Sequence, residues 1–297
     1  MSTTTALALL NRPSHEAPAH DSEGPPFALL DPADPHITTL DLGVTRGDGV
    51  FETISVGHGN LQALRPHLRR FAKSAAALDM LPPDEDAWEQ TVRAAAAAIE
   101  PVDEAYVKTV MTRGIEGDGR PTGWAYAAPA ANFTAARTDG ISVVMLDRGF
   151  RHDVAQTSPW LLAGSKTLSY AVNRAVVREA NRRGADDVVF VSSDGYLLEG
   201  STSSLLLRFG ETLVTPGIDL GILPGTTQGD LFAFAETQGL RTEYSLLASD
   251  QLAKADGAWL VSSVRHAAPI RQVDGVDRPV DAEFSAALNA YLLGRVS

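Results

Sequence analysis

Gly164-Ser165-Lys166-Thr167-Leu168-Ser169-Tyr170 is the stretch on which the reading turns, with Tyr196-Leu197-Leu198-Glu199-Gly200-Ser201-Thr202 as its companion. The chain draws most of its positive charge from arginine, and Lys166 follows Leu161, Leu162, Ala163 and Gly164 rather than solvated neighbours. A guanidinium stays protonated, whereas a desolvated ammonium loses its proton and becomes a nucleophile. Burial among small apolar residues disfavours the charged form of such a lysine. Glu199 closes an alternating, mostly apolar run. It either turns outward from an edge strand or points inward, where a buried carboxylate requires a cationic partner.

Around these segments the sequence divides near residue 135. In the first half, Ile37–Leu40 reads as a short strand, Arg46–Gly49 as a turn, and Val50–Val56 as an alternating strand turned by Gly57-His58-Gly59-Asn60. Leu68, Phe71, Ala75 and Leu78 fall on one helical face, and Asp86-x-x-Glu89 has the form of a capping box opening a second helix that runs to Ile99. Ala105–Thr112 reads as a strand entering the glycine-rich loop 113–123, and Trp124–Ala128 as its return. Ala130–Gly140 reads as a linker. In the second half, strands are predicted at 141–146, 188–192, 195–198, 203–208, 211–215 and 258–263. Helices are predicted at 170–183, stopped by Gly184, then from Thr226 to Gln238 and over 284–293. The expectation is an α+β chain with a disordered extension over 1–26, a small domain over 27–134 and a larger domain over 135–297.

Composition excludes several classes of function. The 297 residues are 44% hydrophobic and 21% charged, as in soluble globular proteins. A formal net charge of -12 leaves no basic surface for nucleic acid. With no cysteine there is neither a disulfide nor a thiolate metal site, and the seven histidines show no metal-ligand spacing. Ala6–Leu10 is too short for a signal sequence, and no run of about 18 apolar residues suggests a membrane span. The reading is therefore a cytoplasmic protein with a small-molecule substrate, no metal and no membrane partner.

A lysine amine with a carboxylate suits a pyridoxal ring, the amine as imine partner of the aldehyde and the carboxylate on the pyridine nitrogen. Its phosphate would need an anchor. Gly225-Thr226-Thr227 opens a predicted helix, where unpaired N–H groups favour an anion, although plain N-capping by either threonine fits equally well. Arg70 lies beside the apolar stripe of its helix, positioned either to reach inward or to snorkel outward, while Arg69 faces solvent.

Gly47-Asp48-Gly49-Val50-Phe51-Glu52-Thr53, His67-Leu68-Arg69-Arg70-Phe71, Lys166, Glu199-Gly200, Leu223-Pro224-Gly225-Thr226-Thr227 and Val261-Ser262-Ser263 follow one another in an order that resembles the class IV aminotransferases. These are pyridoxal 5'-phosphate enzymes of fold type IV, with a small α/β N-terminal domain and a larger mixed-sheet, barrel-like C-terminal domain. The resemblance implies that Lys166 is the Schiff-base lysine, that Glu199 holds the pyridine nitrogen and that Tyr170 hydrogen-bonds the cofactor's phenolic oxygen. It further implies that Arg70, Gly225, Thr226, Thr227, Ser262 and Ser263 bind the phosphate, and that the protein is a homodimer with cofactor clefts between its domains. The segment Val107–Arg120 most resembles aminodeoxychorismate lyase, implying that Lys108 and Arg120, or Arg113, bind substrate carboxylates. Aminotransferases acting on D-amino acids, branched-chain amino acids or (R)-amines are the alternative.

Overall fold

The computed structural model describes residues 3–16 and 25–295. The chain forms two compact units. One comprises Met1–Ala131, Ser165–Tyr170 and Arg295–Ser297, the other Asn132–Gly164 and Ala171–Gly294. The segment containing Lys166 thus belongs, by its contacts, to the unit built from the first half of the chain.

The first unit contains strands β1 (Ala6–Leu10), β2 (Phe27–Leu30), β3 (Gly49–Gly57), β4 (Asn60–Leu61), β5 (Glu104–Thr112) and β6 (Thr122–Pro129), with helices α1 (Leu42–Arg46), α2 (Leu64–Ala77) and α3 (Glu85–Ala97). The strands lie in the order β2-β1-β6-β5-β3-β4, every neighbouring pair antiparallel. Side chains alternate between the two faces of a strand. On one face Ala8, Ile54, Val107, Ala125 and Ala127 are fully buried, and the three alanines let α3 lie close to β1 and β6 while α2 covers β3. Phe71 and Trp88 meet edge-on at 4.9 Å between the two helices. The opposite face carries Leu7, Leu9, Phe51, Thr53, Tyr106, Trp124 and Tyr126, all partly exposed, and the exposed Lys108.

Three expectations are corrected here. The lead-in is not wholly a disordered extension, because Ala6, Ala8 and Leu10 bury themselves as β1 pairs with β6; residues 17–24 of that stretch lie outside the described residues. Ile37–Leu40 forms no strand, and the chain instead enters α1, whose N-cap Asp41 accepts from the Gly43 N–H. The second long helix is capped by Asp84 rather than Asp86, since Asp84 has extended backbone and accepts from the Ala87 N–H at 3.0 Å.

The second unit contains α4 (Thr134–Thr138), β7 (Ile141–Asp147), α5 (Val154–Thr157), α6 (Ala171–Arg182), β8 (Asp187–Val191), β9 (Leu197–Gly200), β10 (Ser204–Phe209), β11 (Thr212–Pro216), α7 (Thr226–Thr237), β12 (Arg241–Ser245), α8 (Gln251–Lys254), β13 (Gly257–Ser262), β14 (His266–Val273), β15 (Val276–Asp277) and α9 (Ala282–Leu293). Its sheet runs β12-β11-β10-β13-β14-β7-β8-β9, with β15 added to β14. The pairs β11/β12, β14/β7 and β7/β8 are parallel and the others antiparallel, so the sheet is mixed. Leu205, Leu207, Leu260 and Ile270 belong to one apolar cluster. Leu206, Trp259 and Val261 turn the other way and pack with Leu231, Phe232, Leu288 and Leu292 of α7 and α9. Trp259 satisfies its buried indole N–H on Ser285 Oγ at 2.8 Å. The strand β12 has no apolar alternation; parallel backbone pairing with β11 makes it a strand.

Candidate active site

In the first unit the lysine segment is held by backbone. The two-residue strand β4 pairs only with Val56 and Gly57, so the early part of β3 has an open edge. Ser165–Tyr170 takes that edge: the Phe51 N–H donates to Lys166 O at 3.1 Å and the Leu168 N–H to Gly49 O at 2.8 Å. Ser74 Oγ, on α2, accepts from the Lys166 N–H at 3.1 Å. Gly49 permits the approach, since a Cβ there would lie 2.6 Å from Met111 O and 2.8 Å from Leu168 Cδ1. The Lys166 Nζ stands 4.4 Å from the centroid of Phe51 and 5.9 Å from that of Tyr170, and the two rings meet edge-on at 5.2 Å. The amine is thereby held between two aromatic faces by cation–π attraction.

Glu52 faces away from Phe51, into the packing of β3 on α2, and is fully buried. Arg70 grips it at two points, Nε to Oε1 and Nη2 to Oε2, each 2.7 Å, and His67 Nδ1 lies 2.7 Å from Oε2. Burial alone would raise the Glu52 pKa, but the Arg70 charge and its hydrogen bonds, with His67 adding to them, hold it well below the usual carboxylate range. For His67 burial wins: it pushes the imidazole pKa down against the pull of Glu52, and the Arg70 and Lys166 charges push the same way. Although His67 and Glu52 are close enough for an ion pair, we assign a neutral imidazole. Arg70 already balances the carboxylate, and a second buried cation would cost several kcal/mol. An ionised Glu52 only accepts, so His67 carries its proton on Nδ1.

In the second unit, Glu199 near the end of β9 is partly buried and accepts from the Leu223 N–H at 3.2 Å. Helix α7 starts after Gly225, whose backbone is extended and which supplies no side-chain cap. A Cβ on Gly225 would lie 2.2 Å from Ser204 Oγ. Thr227 is buried, and its hydroxyl comes within 3.5 Å of that of Ser263, which follows β13. A helix N-terminus and two hydroxyls converge there, a donor set that suits a phosphate. The loop after β13 is braced from behind. Arg137 of α4 donates to Arg265 O at 3.0 Å and Val264 O at 2.9 Å, and Arg265 pairs with the buried Asp187 at 2.8 Å. Asp187 also accepts from Ser201 Oγ at 2.6 Å, tying this loop to the turn after Glu199.

The residues singled out from sequence therefore form two groups. Lys166, Tyr170, Arg70 and Lys108 lie in the first unit, and Glu199, Gly225, Thr226, Thr227, Ser262 and Ser263 in the second. Lys108 is exposed on β5, in register with Thr53 and Tyr126, and so shares a sheet face with Phe51. Arg113 is engaged internally, on Asp48 at 2.7 Å and on the carbonyls of Leu78 and Asp79 after α2. Arg120 lies partly exposed in the loop, its Nε 3.6 Å from Asp118. The motifs that contain Glu52 and His67 assign neither of them a role, and Arg137, Asp187 and Arg265 lie in no motif. A carboxylate in the inward phase of β3, between the buried Val50 and Ile54, was the available signal for the first of these.

The family model for class IV amino-transferases matches residues 49–273. The chain is 40% identical over 257 residues to a bifunctional aminodeoxychorismate lyase / D-amino acid transaminase of Mycobacterium tuberculosis, covering 83% of this chain and 89% of that one. A fold IV transaminase structure from Curtobacterium pusillum is 51% identical, with a TM-score of 0.93 over 98% of both chains. A hypothetical aminotransferase from M. tuberculosis, solved in its PLP-bound form, is 39% identical with a TM-score of 0.87, over 90% of this chain and 96% of that one.

Proposed function

From a chain that belongs to the class IV aminotransferases, a family dependent on pyridoxal 5'-phosphate, we propose a lyase that converts 4-amino-4-deoxychorismate to 4-aminobenzoate and pyruvate. The observation that carries this reading is the position of Lys108, an exposed cation on the sheet face of Phe51, over which the Lys166 amine sits. A dicarboxylate substrate calls for cations near the general base, and Arg120 on the loop after β5 is the second. Bound cofactor supplies an electron sink. Arg70, Thr226, Thr227, Ser262, Ser263 and the N-terminus of α7 would hold its phosphate, Glu199 would keep its ring nitrogen protonated, and Tyr170 would supply a hydroxyl to its phenolic oxygen.

Lys166 takes the proton from the substrate carbon bearing the amino group. The carbon–oxygen bond to the enolpyruvyl group then breaks, the departing enol gains a proton and becomes pyruvate, and the ring is left aromatic. The second reading is transamination of D-amino acids, in which no leaving group departs and Lys166 would hand on the proton it has taken from the substrate. The M. tuberculosis relative at 40% identity bears both names, which favours one site serving both reactions. A homodimer in the cytoplasm belongs to the same proposal; among the described residues no helix is long and apolar enough to cross a membrane.

The test is to mix purified holoenzyme with aminodeoxychorismate, without any keto acid, and to follow 4-aminobenzoate by fluorescence and pyruvate by a coupled dehydrogenase. Equimolar release of both products is expected. No release, beside a fast half-reaction with D-alanine, would leave transamination alone.

A further inference from the structure

Neither Glu52 nor His67 has a part in the chemistry above, yet together with Arg70 they form a largely buried polar cluster where β3 packs on α2. Stability does not account for it: a buried ion pair replaced by packed aliphatic residues is often as stable or more so. Glu52 stands between Val50 and Ile54, both fully buried, where a branched aliphatic would fit the strand.

We infer that Glu52, backed by His67, is a positioning residue that fixes the orientation of the Arg70 guanidinium for a phosphate. The fork occupies the Nε/Nη2 edge of Arg70 with two 2.7 Å bonds, so the planar group cannot rotate and an anion meets it in one orientation. His67 bonds Oε2 at 2.7 Å and locks the carboxylate in its turn. One stripe of α2 does this and more. His67 and Arg70 are three residues apart and Ser74 four further on, so all three face the same way, and Ser74 holds the backbone of Lys166. The stripe therefore registers the phosphate-binding cation against the lysine whose amine the cofactor must reach. With Glu52 ionised and His67 neutral, the cluster carries no net charge before an anion binds, which makes a largely buried, pre-oriented arginine tolerable.

This inference rests on the reading of Arg70 as a phosphate ligand, and the experiment separates the two. Apoenzyme is titrated with pyridoxal 5'-phosphate and with pyridoxal, following the visible absorbance, and inorganic phosphate is used as a competitor. Wild type, Glu52→Gln, Glu52→Asp and Arg70→Lys are compared, with circular dichroism to establish folding. Glu52→Gln is expected to weaken pyridoxal 5'-phosphate about 10- to 100-fold, the range for one charge-assisted hydrogen bond, and to leave pyridoxal affinity unchanged. Glu52→Asp, which keeps the charge but moves it back by one methylene, is expected to fall between Gln and wild type. It decides the matter alone should the Gln variant not fold. Equal weakening of both ligands, or of neither, overturns the inference, because a merely structural residue would not discriminate between them. If Arg70→Lys keeps the full preference for the phosphorylated ligand, the reading of Arg70 fails. If Arg70→Lys loses that preference while the Glu52 variants keep it, only the positioning role fails.

Discussion

Gly49→Ala probes the join between β3 and the lysine segment. Gly49 has no positive φ, so the substitution adds no backbone strain, and its effect is steric. The new methyl group would stand 2.6 Å from Met111 O, 2.8 Å from Leu168 Cδ1 and 2.9 Å from Thr112 Cα. Two of those neighbours are backbone of β5, held by a nine-pair register with β3, so they cannot swing aside as a side-chain end could. Relief requires β3 and β5 to part by several tenths of an ångström, or the Leu168 contact to open and loosen the 2.8 Å bond from the Leu168 N–H to Gly49 O. Overpacking of this kind costs about 1–3 kcal/mol. Gly229→Ala is the control with the opposite sign. Gly229 lies exposed within α7, a methyl group added there would meet nothing within 4 Å, and alanine stabilises such a helical position by about 0.5–1 kcal/mol. Urea denaturation of both apo variants measures the stability, and the fraction of chains labelled at Lys166 after borohydride reduction with the cofactor measures the placement of the amine. A Gly49→Ala protein as stable as wild type and labelled as fully would refute the reasoning.

The cluster around Glu52 predicts acid sensitivity. Its folded pKa is depressed, so its stabilisation is complete above the unfolded value of 4.5 and declines below it. His67 is depressed from 6.5 as well, so the unfolded chain takes up its proton first and stability begins to fall below that pH; urea midpoints between pH 8 and 4 should lose the upper part of this decline in His67→Gln. Asp187→Asn strands the Arg265 guanidinium, only 15% exposed, and is expected to cost about 3–5 kcal/mol in urea denaturation, whereas simultaneous Arg265→Met should restore part of it. Borohydride treatment of the holoenzyme should attach the cofactor at Lys166 alone by peptide mapping, and Lys166→Ala should take up no label while still binding the cofactor reversibly.

Much of this architecture was written locally. The alternation of Val50–Val56 and Ala105–Thr112, the apolar stripe of α2 and the turn at Asp194-Gly195 each follow from side-chain periodicity or backbone preference within a few residues. Lys166 and Glu199 stood out for the same reason, as groups whose chemistry disagreed with their apolar surroundings. The segment 165–170 carries no side-chain pattern that assigns it to the first unit. It joins β3 through main-chain N–H and C=O groups, which every residue possesses. Ala6–Leu10 and Arg241–Ser245 became strands through backbone edges supplied by β6 and β11. The same holds for charge: Arg113 and Lys108 are both cations near the same loop, but the carbonyls that end α2 engage Arg113, while strand register leaves Lys108 on the open face. Composition and periodicity determined much of the apolar core and which chemistry is present; only the packed chain decided which polar groups are buried and which donor meets which acceptor, because hydrogen bonds depend on distance and direction between groups far apart in sequence.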